Sequence, residues 1–440
     1  MKKTLLGSFC FLAVSGLFPC SLFAISWTPP KVSTYILPNG FQIYLLENHE
    51  LPIVEAKLFV KVGSAYEEGR LAGLADVVAD LLAGGGTLDK TPEALDLWLD
   101  EKSIQLRGDA GRELTTITAA SLSKQLDSLL AILQEAVTKP RFDEDRFRLI
   151  IGQTKEGLRR EEDAPHVVAA HAFNEAVYGK DHPWGRRPTV KSVSDIRLKE
   201  VRQFYETHFH PNRMLLAVAG DFSKEKVRQW AAKNFGPLKP KEVPQPEWKK
   251  VAIGGKGATT IIKRKVTQAF IEAGHSGLVR LSKEEYAYAV MQYILGGEPF
   301  ISRLGLDIRS QSGLAYSVYT DWDANPVGGI FSIQVQTKAD AKQAVLEKID
   351  THLKRFSNNG DITPGELALA KESLLNKYIF SFDSPFKVIF QQASFDLLGY
   401  PKDYLRKYPE AIRKVTLKEV QDVAKKYIRP ENLKIVIVEP

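Results

Sequence analysis

The chain has 440 residues, 44% of them apolar and 26% charged, with a formal net charge of +7. That length exceeds a usual single core and favours two or three domains, and the composition is globular rather than disordered or fibrous. The positive excess is mild, falls to +5 without Lys2 and Lys3, and is spread along the chain, so nucleic acid is not a favoured partner.

At the N-terminus, Lys2 and Lys3, an apolar run from Leu5 to Leu22 and the small Ala24 have the form of a secretory signal peptide over residues 1–24, with an uncleaved anchor as the alternative. A periplasmic or secreted mature protein is expected. Cys10 and Cys20 both lie in this leader, so no disulfide staples the mature chain and its stability rests on an ordinary core. No later run approaches the ~20 apolar residues of a membrane helix, and no membrane association is expected once the leader is removed.

Asn39-Gly40 between the β-rich runs Tyr35–Leu37 and Phe41–Leu45 predicts a hairpin. Residues 54–62 read as a strand. Leu71, Leu74, Ala75, Val78, Leu81 and Leu82 recur at helical spacing up to the stop at Gly84-Gly85-Gly86. Asp76 and Asp80 fall off that stripe, one helical turn apart on a second face. Thr91-Pro92 opens another helix with a cap and a first-turn proline. Strands near 104–107 and 114–120 follow, then helices at about 123–138, 143–162, 166–178 and 198–208, and a strand over 214–219. Between Pro237 and Pro246 four prolines exclude both helix and ladder, which marks a linker. The expected division is an N-terminal domain at 25–236, a linker at 237–250 and a C-terminal domain at 251–440.

The two halves resemble each other. Ile196–Val201, Phe209–Asn212 and the strand Leu215–Ala219 align without gaps against Val415–Val420, Ile428–Glu431 and Lys434–Val438, at an offset of 219. Val54–Gly63 pairs with Val266–Gly274, and Leu82–Gly85 with Ile294–Gly297, near an offset of 212. Such a repeat means two domains of one fold. The fold class expected is α+β: two homologous halves, each a mostly antiparallel sheet covered by helices, facing each other across a chamber.

The stretch Gly73-Leu74-Ala75-Asp76-Val77-Val78-Ala79-Asp80, with its glycine-threonine turn at Gly86-Thr87, resembles the active-site helix of insulinase- and pitrilysin-type zinc metallopeptidases, which carry His-x-x-Glu-His there. The resemblance extends over nearly the whole mature chain, through Lys155–Leu158 with Glu161–Pro165, through Tyr178-Gly179 with His182–Arg186, and through Ser302–Leu304, Asp307–Arg309 and Gly313–Val318. It implies a chamber that holds unfolded peptides and cuts them with zinc. Carried over by position, Asp76 and Asp80 replace the two zinc-binding histidines, Ala79 replaces the water-activating glutamate, and Glu156 stands at the spacing of the third ligand.

Alanine takes no proton from a metal-bound water, so no catalytic residue is assigned. Zinc wants neutral imidazoles; three carboxylates suit calcium or magnesium, and only if they close around the ion. Otherwise Asp76, Asp80 and Glu156 line a wet cavity or pair with arginine or lysine, and no metal is assigned. The eight histidines form no zinc motif. Gly296-Gly297-Glu298-Pro299-Phe300 stands where some family members feed substrate past a glycine-rich loop, but two glycines read better as a turn at a helix end. Arg309 and Tyr316 match the arginine and tyrosine with which the second half of these enzymes holds substrate backbone; a guanidinium and a phenol are fixed donors suited to a peptide carbonyl. For each, a salt bridge or a half-buried strand aromatic is the plain alternative.

The resemblance therefore implies a non-catalytic subunit of a periplasmic metallopeptidase, without a cofactor of its own. It would contribute substrate binding to a zinc-bearing homologous subunit that cleaves unstructured peptides. A stand-alone peptide-binding or scaffold protein, as a homodimer, and an active enzyme with an unusual carboxylate metal site are the alternatives.

Overall fold

The computed structural model describes residues 28–440, and the leader expected over 1–24 lies outside them. Strands β1 (Ser33–Ile36) and β2 (Gln42–Glu47) form the hairpin, in the register Ser33 opposite Leu45. Gly40 takes φ of 84° at its turn, where a side chain would be strained. With β3 (Ile53–Val60), β4 (Gln105–Ala110), β5 (Thr115–Leu122) and β6 (Met214–Gly220) they make a six-stranded sheet ordered β1-β2-β6-β3-β5-β4. In it β2 and β6 run parallel and the other neighbours antiparallel.

The second sheet is built from β7 (Ala258–Lys263), β8 (Ala269–Ser276), β9 (Ala315–Asp323), β10 (Ile330–Thr337) and β11 (Lys434–Glu439), ordered β7-β11-β8-β10-β9. Again one pair, β7 with β11, is parallel. Apart from β1, each strand of the first sheet has its counterpart in the second, so the sequence repeat is a topological repeat. The helices Leu198–His208 and Leu417–Tyr427 are equal in length and 219 residues apart at both ends.

Both faces of the first sheet are covered, which is why β6 is buried at every position. One face packs on helices of its own half, with Ile43, Leu58, Val78, Leu82, Leu129 and Val201 in the core. The other face, with Tyr44, Phe59, Leu215 and Ala217, packs on Val388, Ile389 and Ala393 of helix Pro385–Leu397 from the second half. The exchange is mutual. Helix Pro165–Tyr178 of the first half lays Val168, Ala169 and Phe173 on Val436 and Val438 of β11.

No helix or strand occurs between Phe235 and Ala258, as the prolines dictate. This stretch is nevertheless tied down: Asn212 Nδ2 donates to Lys241 O (2.9 Å), Tyr66 Oη to Gln245 Oε1 (2.7 Å) and Trp248 Nε1 to Ala65 O (3.3 Å). Trp248 also packs edge-on against Trp184 at 4.9 Å between ring centres. Among the described residues no helix is long and apolar enough to cross a membrane.

Candidate functional site

Helix Leu74–Gly84 begins at Gly73, whose φ of 100° leaves no side chain to cap it. Glu67 does that work from outside. Its carboxylate accepts from Ala75 N (2.7 Å) and Gly73 N (3.1 Å), beside the positive end of the helix dipole. Glu67 is 8% exposed, and burial pushes its carboxyl up to about 7 against the pull of those two bonds.

Further along, Asp76 lies near the Ala110 amide at the end of edge strand β4. Its carboxyl is raised to about 6, first by burial and then by Asp80 and Asp109. Asp80 reaches solvent at its tip, yet burial of its flank and the charge of Asp109 raise it too. Between them Ala79 is fully buried. The helix rides directly on β4: a Cβ on Gly108 would sit 2.0 Å from the Ala79 carbonyl oxygen.

Glu156, on helix Glu144–Glu161, does not join this group. It is exposed and pairs with arginines of its own helix, Arg159 at 3.3 Å and Arg160 at 3.8 Å. Among the described residues no three His, Cys, Asp or Glu side chains are placed to hold a metal ion. Asp76 lies against β4 and Glu156 is turned to its own helix, so the residues that the resemblance sets at the zinc positions do not fit zinc, and Ala79 offers no base.

Arg309 and Tyr316 are brought together. Arg309 lies in the π-helical turn Gly305–Gln311 and donates from Nε to Tyr316 O on β9 (2.9 Å), its guanidinium 4.1 Å above the Phe300 ring. The Tyr316 side chain is 72% exposed. Gly296-Gly297 closes helix Glu285–Gly296, with Gly297 N donating to Tyr293 O, and is the turn expected there.

Sequence reasoning missed Arg112. It stands in the β4–β5 turn and donates to the carbonyls of Pro183 (2.9 Å), Arg186 (3.0 Å) and Trp184 (3.4 Å). The motif His182–Arg186 is thus a clasp on Arg112, and Arg186 in turn bonds Glu67 O (2.9 Å) and Ser64 O (3.2 Å). Arg112 forms part of the walls of three adjoining cavities of about 270, 310 and 260 Å³. The first takes in Asp76, Glu67 and His171; the other two lie between the halves, near the paired Glu113 and Arg280 (2.7 and 2.8 Å). Arg309 and Tyr316 line none of them. The signal that could have found Arg112 was the aromatic-rich motif that holds it.

Residues 42–182 match the profile described as Insulinase (Peptidase family M16), and residues 195–374 the one described as Peptidase M16 inactive domain. The chain is 26% identical over 397 residues to a non-peptidase homolog, YmxG, of Helicobacter pylori, covering 89% of this chain and 90% of that one. It is 24% identical over 414 residues to an uncharacterized zinc protease, YmxG, of Bacillus subtilis, covering 93% and 98%. In fold it is similar to a crystal structure of a peptidase M16 inactive domain from Pseudomonas fluorescens, with a TM-score of 0.84 at 23% identity over 93% of this chain and 98% of that one.

Proposed function

This chain belongs to the insulinase family of M16 peptidases as a member without the zinc motif, and from that premise we propose that it is the substrate-holding, non-catalytic subunit of a two-chain peptidase. The observation that carries the reading is an asymmetry. In the first half, Asp76, Ala79, Asp80 and Glu156 form no metal site. In the second, the exposed Tyr316 stands on edge strand β9 and Arg309, from the turn Gly305–Gln311, bonds its carbonyl, and neither lines the three cavities around Arg112. A donor pair at a surface edge suits a site that another chain completes.

On this reading a zinc-bearing family member supplies the metal and the base, and this chain grips the backbone of an unstructured peptide in the periplasm or outside the cell. The chain alone cleaves nothing and needs no cofactor. The test is co-expression with a zinc-bearing family member and assay on unstructured peptides. Cleavage should rise with this chain present and fall at least tenfold with Arg309→Ala; equal rates with and without the chain overturn the reading. Retained peptide binding with no partner dependence would favour a stand-alone binding protein.

A further inference from the structure

Of the cavities around Arg112, the one of about 260 Å³ between Trp184 and the open face of the second sheet has walls that serve no role in the reading above. Its first-half side is aromatic, from Phe173, Tyr178 and Trp184. Its second-half side carries Glu272 from β8 and Asp321 and Asp323 from β9. Glu272 is only 6% exposed and has the Ser332 hydroxyl and the Gln334 amide beside it. Among the described residues none of these three carboxylates has an ion-pair partner within salt-bridge distance. Arg112, the cation in the wall, spends its donors on the backbone carbonyls of Pro183, Trp184 and Arg186. A buried acid with no cation is costly unless it is neutral or a cation is brought to it. Burial accordingly raises the Glu272 carboxyl to about 8.

We propose that this cavity receives the basic side chain, lysine or arginine, of a bound extended peptide. The aromatic wall takes the apolar stem, and Glu272 with Asp321 takes the charged end. A bare metal ion does not suit it, since no three of its ligating groups converge. The cavity and the proposed peptide grip share strand β9, and to that extent the inference rests on that reading. β9 carries Tyr316 at one end and Asp321 towards the other, about 17 Å apart at ~3.3 Å per residue. Tyr319 lies between them, bonded to Gln334 Oε1 (2.5 Å). An extended peptide laid along β9 from Arg309 and Tyr316 brings a residue about five positions on level with Asp321.

The experiment is isothermal titration of the full chain with 12-residue unstructured peptides that differ only in carrying one arginine or one glutamine. The arginine peptide should bind at least tenfold more tightly, and Glu272→Gln should abolish that preference. Near pH 7, binding of the arginine peptide should release a proton, read from the buffer dependence of the heat, and the variant should release none. Asp321→Asn, at an exposed position, repeats the test if Glu272→Gln does not fold. Equal affinities for the two peptides, or a preference that survives both variants, overturn the proposal. Arg309→Ala separates the two ideas. Weaker binding of both peptides with the preference kept supports the grip and the cavity together; no change with the preference kept supports the cavity and tells against the grip.

Discussion

Aspartate at position 76, where the resemblance sets a histidine, does more than leave out a metal ligand. Its carboxylate lies near the Ala110 amide of β4 and near Glu67, Asp80 and Asp109, and its burial, with these charges, makes it carry a proton more readily than a free aspartate. Glu67 and Asp76 are held at about 7 and about 6, above their ordinary values of 4.5 and 3.8. Between those limits the folded chain binds more protons than the unfolded one. The sign follows: this contribution favours the fold at acid pH and is lost as pH rises from about 4 to about 7. Asp76→Asn keeps an acceptor for Ala110 without the charge, so urea unfolding should show a gain on the order of 1–3 kcal/mol at pH 7.5 and a flatter profile down to pH 5. Identical pH profiles for both proteins would refute this account. At this scale the local motif singled out Arg309 and Tyr316, and the structure adds that Arg309 Nε bonds the Tyr316 carbonyl. For Glu156 the structure shows the arginine pairing that stood as the plain alternative, since spacing along a helix does not say which way a long side chain turns.

At the scale of elements, helix Leu198–His208 matches its expected ends because both are written locally. Glu200 Oε2 accepts from Arg197 N (3.0 Å) at the start, and the chain turns at Phe209 before Pro211 at the end. The hairpin at Asn39-Gly40 was legible for the same reason. What no local pattern revealed is how closely helix Leu74–Gly84 lies on β4. Gly108 permits that approach, and Gly108→Ala would drive a methyl into the Ala79 carbonyl. The helix must move, at a cost of about 1–3 kcal/mol, measurable as a lower melting temperature. A melting temperature equal to that of the parent would show that the helix has room to shift.

In the whole molecule the two halves interlock through exchanged helices and through the half-buried Glu113–Arg280 pair. Ile389, fully buried against the first sheet, belongs by sequence to the second half. Ile389→Ala should therefore cost about 2–5 kcal/mol and lower amide protection in β2 and β6 as much as in its own helix. Loss confined to residues after 251 would mean that the halves unfold independently. Residue order alone carried the repeat, the two α+β halves and the absence of His-x-x-Glu-His, because each is written in neighbouring residues or in a periodic pattern. Only the tertiary structure decided that helices 165–178 and 385–397 cover the opposite half's sheet, that Arg112 sits at the meeting of three cavities, and that Glu272 is buried without a cation in a chain of positive net charge. An apolar stripe states that a face must be covered but not by what, and net charge says nothing of the sign inside a particular cavity.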